Sequence, residues 1–269
     1  MRVIINNNYD ECSVWAANYV AYRIKSFRPS AKKPFILGLC TGSTPLGMYN
    51  ELIKMYKAGK ISFENVVTFN MDEYIGLGPK DPQSYHYFMH ENFFKHVNIP
   101  QANIHLLNGQ TKDFTKECNH YEEMIKSYGK IHLFVGGVGS DGHIAFNEPG
   151  SALTSRTRVK TLASETVIAN SRFFDNNIEK VPSQVLTVGI GTIMDAEEVM
   201  ILATGSQKAR AIHHAIEGSI NHMWPISILQ MHQHSVIVCD EQATNELKAD
   251  TVRFFKEVEL QRNPQKKNF

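Results

Sequence analysis

The chain has 269 residues, 42% of them hydrophobic, which is enough for one large domain or two small ones. Lys and Arg number 28 against 27 Asp and Glu, so the net charge is +1 and nucleic acid is not an expected partner. No apolar run approaches the roughly 18 residues that span a bilayer, and the short run after Arg2 cannot form a signal-peptide core. We therefore expect a cytoplasmic protein without membrane contact.

Cysteine and histidine spacing gives no metal signature. The chain contains no CxxC pair, and its four cysteines are widely separated: Cys12, Cys40, Cys118 and Cys239. Neither a zinc knuckle nor a redox pair is predicted. The 12 histidines show no third ligand at a recognisable spacing, so we expect no metal site.

Apolar strand-like runs alternate with helix-like stretches along the chain. The predicted strands are 35–40, 66–71, 131–137, 185–191, 198–205 and 234–240, and the predicted helices are 45–60, 84–97, 118–129, 206–218 and 250–260. Continuous apolar strands of this kind favour a mostly parallel sheet that is covered by helices on both faces. We predict one α/β domain over 1–269, doubly wound and Rossmann-like, with a polar segment at roughly 162–185 as a lid.

Ligands bind such sheets at the carboxyl ends of the strands. The turn "CTGSTPLG" (40–47) follows one of them and offers hydroxyls and backbone N–H groups at Thr41, Gly42, Ser43 and Thr44. With Thr44 as N-cap and Pro45 in the first helical turn, this turn is either a phosphate site or an ordinary capped turn.

Two further strand ends carry charged side chains. In "GSQK" (205–208), Ser206 is the expected N-cap, and Lys208 opposes the helix dipole unless an anion lies nearby. In "FNMDEYIGL" (69–77), Asp72 and Glu73 follow a buried strand, where a desolvated carboxylate can act as a base. A solvated lysine and an ordinary turn acid are the alternatives.

The loop "FVGGVGSDGHIAFNEPG" (134–150) gives the strongest signal. Its GxGxxG match is not followed by the helix that a dinucleotide fingerprint needs. Its glycines instead allow Asp141 and His143 to face one site, with Glu148 on the other side. A carboxylate beside an imidazole fixes the tautomer, which favours a proton shuttle over a metal site.

Together these motifs resemble one family essentially from end to end, although no single motif is specific. They are "LCTGSTPLGMY", "VTFNMDEYIGL", "SYHYFMHENFF", "GGVGSDGHIAFNEPGS", "SRFFD", "VLTVGIGT", "DAEEVMIL", "GSQKA" and "NHMWPIS". The family is glucosamine-6-phosphate deaminase, also called glucosamine-6-phosphate isomerase. The resemblance implies conversion of glucosamine 6-phosphate and water to fructose 6-phosphate and ammonium, in amino-sugar (N-acetylglucosamine) catabolism, without a metal or organic cofactor.

The resemblance also implies roles for single residues. Asp72 matches the base that moves a proton from C2 to C1, and His143 matches the group that opens the sugar ring, with Asp141 and Glu148 as its acidic partners. The phosphate is expected on the 41–44 turn together with Arg172 and Lys208.

Some bacterial members are hexamers that N-acetylglucosamine 6-phosphate activates at a subunit interface. The residues that match this effector site are Ser151, Arg158, Lys160, Thr161 and Phe254. Activated members carry an aromatic hydroxyl where this chain has Phe254, so the resemblance implies a homohexamer that binds the effector with weaker coupling.

Two other functions are compatible with parts of the pattern. A sugar-phosphate lactonase on a similar sheet would not need Asp72 together with the Asp141, His143 and Glu148 set. A sugar-phosphate-sensing transcription regulator would carry an additional helix-turn-helix and a basic face, for which this chain shows no candidate segment.

Overall fold

The computed structural model describes residues 1–262; positions 263–269, the end of the predicted 1–269 domain, lie outside the described residues. The strands are β1 (Arg2–Asn6), β2 (Phe35–Leu39), β3 (Val66–Asn70), β4 (Asp72–Tyr74), β5 (Ile104–His105), β6 (Leu133–Gly137), β7 (Arg158–Thr161), β8 (Gln184–Thr187), β9 (Val199–Ala203) and β10 (Ser235–Asp240). The α-helices are α1 (Tyr9–Phe27), α2 (Leu46–Lys57), α3 (Tyr85–Asn92), α4 (Phe114–Ser127), α5 (Ser164–Asn170), α6 (Ile190–Met194), α7 (Ala209–Ile216) and α8 (Ala249–Arg262).

Seven strands form a parallel sheet in the order β1-β10-β9-β6-β2-β3-β5. Every residue of β2, β3, β9 and β10 is buried, because apolar clusters cover both faces of the sheet. Helices α1, α2 and α3 contribute to one cluster, and α4, α6 and α7 contribute to the other. The predicted doubly wound α/β fold is confirmed. No helix within residues 1–262 is long and apolar enough to cross a membrane.

A second, antiparallel sheet of three strands, β4-β8-β7, was not predicted. The expected strand over 185–191 is wrong in its second half, because β8 ends at Thr187 and α6 begins at Ile190. Gly189 makes this turn against residue 155, where a Cβ atom would collide with the backbone. Residues 162–183 form an insert between β7 and β8, so the last two positions of the predicted 162–185 lid belong to β8.

The topology creates a crevice where β2 and β6 pair side by side. After β2 the chain adds β3 and β5 on one side, whereas after β6 it adds β9 and β10 on the other. The carboxyl ends of two strands whose connections leave in opposite directions are the usual ligand position of an open α/β sheet. The 40–47 turn and the 137–150 loop begin at these two strand ends.

Candidate active site

The turn after β2 is held by a tyrosine rather than by a threonine cap. The N-cap of α2 is Pro45, without a side-chain hydrogen bond, so the predicted Thr44 cap is wrong. The hydroxyl of Tyr9 donates to the carbonyl of Ser43 (3.0 Å) and accepts from the N–H of Gly47 (2.8 Å). Gly42 has φ of 98°, which allows the chain to turn directly after β2.

The turn after β9 is anchored by a buried acid on β10. Asp240 accepts hydrogen bonds from the N–H groups of Gly205 (3.0 Å) and Ala243 (2.9 Å). A short 3-10 helix over 206–208 precedes α7, and Ser206 makes no side-chain cap, so that prediction is also wrong. The N–H that Asp240 accepts from belongs to Gly205, two residues after β9 ends. The φ of Gly205 is 88°, in the left-handed region that favours glycine.

The turn after β9 brings Lys208 towards two other predicted site residues. Burial lowers the pKa of Lys208, nearby Asp141 raises it, and the positive charge of Arg172 lowers it further. Lys208 is half-buried and Arg172 is exposed, and the charges of Asp141 and Arg172 both act on the lysine. Lys208 and Arg172 offer positive charge to an anion, and Asp141 compensates part of the charge on Lys208.

The 137–143 loop brings Asp141 and His143 into contact. Oδ1 of Asp141 lies 2.7 Å from Nδ1 of His143. Burial would raise the pKa of Asp141, but its hydrogen bond with His143 and the charge of that ring outweigh burial and lower it. A Cβ atom on Gly139 would collide with both side chains, so only glycine allows this arrangement at that position. The carboxylate orients the ring and directs Nε2 away from itself.

Glu148 lies in the same loop but contacts the insert rather than the histidine. Its carboxylate accepts hydrogen bonds from the N–H of Ala163 (3.0 Å) and from the hydroxyl of Thr166, and it lies 3.8 Å from Nζ of Lys160. Among the described residues these are the polar partners of the Glu148 carboxylate, and they join the 137–150 loop to β7 and to the start of the insert. Ala145, in the loop between His143 and Glu148, has a left-handed φ of 51°, a strained conformation for a non-glycine residue.

Asp72 begins β4 and is 8% exposed. Burial raises its pKa to about 8, and the negative charge of Glu73 contributes to that rise. A buried carboxyl with a pKa near neutrality can accept a proton from carbon and return it to an adjacent position.

The residues predicted for an effector site fall into two places. Arg158 and Lys160 lie on β7, where Arg158 donates to Oδ1 of Asn147 (2.8 Å) and Lys160 approaches Glu148. Thr161 ends that strand, and Ser151 is buried.

Phe254 is 58% exposed on α8, beside a cavity of about 590 Å³. The residues that line this cavity come from the end of α7 and from α8, and none belongs to β7. Within one chain, therefore, the described residues do not bring Phe254 to the other four predicted effector residues.

A family model described as glucosamine-6-phosphate isomerases/6-phosphogluconolactonase matches residues 8–238. The chain belongs to this family. Within residues 1–262, no group of three or more His, Cys, Asp and Glu side chains is arranged to hold a metal ion.

Relatives on the deaminase side of the family are similar over nearly the whole chain. A glucosamine-6-phosphate deaminase of Treponema denticola is 61% identical over 96% of this chain and 96% of its own length. Another glucosamine-6-phosphate deaminase, from Borrelia hermsii, is 62% identical over 96% of this chain and 97% of its own length. A solved monomeric glucosamine-6-phosphate deaminase is 39% identical, covers 90% and 98% of the two chains, and has a TM-score of 0.86.

Lactonases share the fold at lower identity. A 6-phosphogluconolactonase from Trypanosoma cruzi is 18% identical with a TM-score of 0.72, over 92% of this chain and 97% of its own. At that identity the similarity shows a common fold alone.

Several residues that position the site of this family member were missed by sequence reasoning. Tyr9, Asp240 and Asn147 hold the three loops through hydrogen bonds to backbone or to side chains far along the chain. Trp224 packs over Gly142, where a Cβ atom would meet its ring, and stacks on His214 with ring centroids 3.9 Å apart. Asp240 alone had a usable signal, since it is the last residue of an apolar strand, β10.

Proposed function

We propose that this chain converts glucosamine 6-phosphate and water to fructose 6-phosphate and ammonium. The observation that carries the proposal is identity of about 60% to glucosamine-6-phosphate deaminases over at least 96% of both chains. A crevice with two cations, a buried carboxyl and an oriented imidazole supports the same conclusion. The reaction is an aldose–ketose isomerisation coupled to loss of the C2 amine, in the breakdown of amino sugars.

Ring opening is assigned to His143. The ring oxygen must gain a proton and the C1 hydroxyl must lose one, so a single group that can do both is sufficient. Asp141 supports this assignment, because its contact with Nδ1 leaves Nε2 available to the sugar. A His143→Gln variant is expected to lose turnover most strongly where ring opening limits the rate, and to bind an open-chain analogue.

Isomerisation is assigned to Asp72. In the open chain the proton on C2 is acidified by the adjacent carbonyl, and its transfer to C1 passes through an enolamine. A buried carboxyl whose pKa is about 8 supports this role, because it is basic enough to accept the proton and acidic enough to return it. Protonation at C1 turns the enolamine into an iminium at C2, water adds to that carbon, and the resulting carbinolamine expels ammonium as the C2 carbonyl forms.

The phosphate is assigned to the 41–44 turn with Arg172 and Lys208. The turn lies at the carboxyl end of β2, beside the loop of Asp141 and His143. The positive charges of the half-buried Lys208 and the exposed Arg172 support the assignment, because a phosphate group is a dianion.

The insert over 162–183 is proposed to act as a lid. It carries Arg172, and its partly exposed apolar side chains, Ile168, Phe173 and Ile178, are suited to pack on closure. Glu148 anchors its first residues. Substrate-dependent protection of amides in 164–180 from hydrogen exchange would support closure, and unchanged exchange would contradict it.

An effector site and a hexamer remain proposals for the chain, which we treat as one cytoplasmic domain over 1–269. Arg158 and Lys160 offer positive charge for N-acetylglucosamine 6-phosphate, and Phe254 lacks the hydroxyl expected for strong coupling. If Phe254 comes from a neighbouring subunit, Phe254→Tyr should strengthen activation only in the oligomer. Light scattering measures the oligomeric state. If titration with N-acetylglucosamine 6-phosphate left the apparent substrate affinity unchanged, the proposed activation would be wrong.

A coupled assay tests the central proposal. Purified protein is supplied with glucosamine 6-phosphate, and ammonium and fructose 6-phosphate are measured together. Equal amounts of both products are expected. If the protein hydrolysed 6-phosphogluconolactone and released no ammonium from glucosamine 6-phosphate, the chain would have the other activity of its family.

A further inference from the structure

Glu73 follows Asp72 and is completely buried. Its Oε1 accepts hydrogen bonds from the N–H groups of Tyr74 (2.8 Å) and Tyr85 (3.0 Å). Its Oε2 accepts from the N–H of His86 (3.0 Å) and lies 2.7 Å from Nδ1 of the same residue. The carboxyl therefore has four polar contacts. Three of them are with backbone N–H groups, which can donate a hydrogen bond but cannot accept one.

Two of these donors belong to the first turn of α3. Tyr85 and His86 are its first two residues, and Ser84 caps the third N–H, that of Tyr87, through a 3.1 Å hydrogen bond. Negative charge is stabilised at a helix N-terminus, and a protonated carboxyl would have to give up an acceptor site to its own hydrogen. The hydrogen-bond pattern is that of a carboxylate, with three backbone N–H donors and Nδ1 of His86 as a fourth contact.

Asp72 lies in otherwise neutral surroundings. The titratable groups that interact with it from the packed elements are a thiol and four phenols: Cys40, Tyr49, Tyr74, Tyr85 and Tyr121. Burial raises the pKa of every one of them, to about 12 for Cys40 and Tyr74, so they are uncharged near neutral pH. In the described part of the chain, Glu73 is the charged group that acts on the Asp72 carboxyl.

We propose that Glu73 is a positioning residue that holds a permanent negative charge beside Asp72 and so makes Asp72 a stronger base. The inference rests on the proposed role of Asp72 and deepens it. Glu73 keeps its charge because α3 and Tyr74 supply fixed donors. Within residues 1–262 no such donor reaches the Asp72 carboxyl, so Asp72 is the member of the pair that takes the proton. Helix α3 thereby contributes to catalysis without contact with the substrate.

Charge and shape can be separated by two substitutions. Glu73→Gln removes the charge at nearly constant size, and the acidic limb of the pH profile of kcat/KM should move to lower pH by on the order of one unit. Glu73→Asp keeps the charge but withdraws it from α3, so it should destabilise the protein while leaving the limb close to that of the wild type. If the acidic limb of the kcat/KM profile lay at the same pH in Glu73→Gln and in the wild type, the proposal would be wrong.

His86→Asn is the matched control. It keeps a neutral donor near Oε2 and leaves the charge of Glu73 in place, so the limb should not move. A shift as large as that of Glu73→Gln would show that the proton on His86 carries the effect, and would contradict our assignment.

A titration of the ligand-free wild-type protein keeps the test independent of activity and of variants that fail to fold. Carboxyl carbons of Asp and Glu are labelled with ¹³C and followed by NMR, with the Asp72 signal assigned by its loss in Asp72→Asn. Over the pH interval in which the Asp72 carboxyl titrates, the Glu73 carboxyl should stay ionised. A proton on Glu73 within that interval would refute the proposal, whatever the coupled assay shows about the reaction.

Discussion

Gly139 lies directly against the ring of His143, so close that a Cβ atom would collide with Nδ1 and Cε1 of the ring and with Oδ1 of Asp141. We predict that Gly139→Ala separates this pair and lowers kcat/KM by about 10²-fold or more, because small misplacements of a catalytic group are costly. Gly137→Ala is the matched control for folding, since a Cβ atom there would have no heavy atom within 4 Å beyond its own chain neighbours. Steady-state kinetics and thermal unfolding of both variants test this, and normal activity of Gly139→Ala would contradict it.

The large sheet could be predicted because its strands carry their own signal. Runs such as 199–203 and 235–240 are apolar throughout, as strands buried on both faces must be. The antiparallel sheet has no such signal: β4 has three residues, and β7 alternates half-buried with exposed positions. These strands exist because Asp72 and Arg158 both pair with Thr187, which only the tertiary structure brings together.

The candidate site shows the same division. Asp72, Asp141 and Lys208 could be named as candidates from the sequence, because each is a charged residue within five positions of the end of an apolar strand. The partners that hold the loops were not, since the hydrogen bond from Gly205 to Asp240 spans 35 residues and that from Ala163 to Glu148 links two separate segments. Both predicted threonine and serine caps failed because other groups hold those turns.

Asp72→Asn should separate catalysis from binding and stability. Turnover should be abolished while sugar-phosphate affinity, measured by calorimetry, stays near that of the wild type. The pKa of the folded-state carboxyl, about 8, lies above its unfolded value. Its ionisation therefore favours unfolding, and this destabilisation grows as pH rises towards 8.

The Asp72→Asn substitution removes this pH-dependent destabilisation, because asparagine does not ionise. Urea denaturation without ligand should show Asp72→Asn to be more stable than the wild type at pH 8, by up to a few kcal/mol, and nearly equal at pH 4. Asp250→Asn, at an exposed position of α8, should show no such trend. Near-normal turnover of Asp72→Asn would show that Asp72 is not the base.

Arg172→Ala should weaken recognition of the phosphate group. Loss of a charge-assisted contact is expected to raise KM for glucosamine 6-phosphate about 10- to 100-fold. It should also reduce the preference over glucosamine, which has no phosphate. Lys180→Ala is the control in the same insert, because Lys180 is exposed and pairs with Asp175 at 3.1 Å. An Arg172→Ala protein that still discriminates fully between the two sugars would exclude Arg172 from the phosphate site.

Glu122 on α4 joins three segments, and its loss should destabilise the protein in a pH-dependent way. It accepts hydrogen bonds from the backbone of Thr157 (2.9 Å), from Arg156 (2.6 Å) and from the hydroxyl of Thr192 (2.5 Å). Burial alone would raise its pKa, but these hydrogen bonds outweigh burial and lower it. A lowered pKa contributes stability above the unfolded-state pKa, and that stability is lost as pH falls through the folded-state value.

Glu122→Gln should therefore cost about 1–3 kcal/mol of unfolding free energy at pH 7, where the wild-type carboxylate is fully ionised. The difference between variant and wild type should shrink below about pH 4, because protonation then removes the same interactions from the wild type. Urea denaturation at several pH values measures it, with Glu123→Gln as the control at the exposed neighbouring position. A destabilisation that is the same at pH 7 and in acid would mean that Glu122 acts through packing and not through its charge.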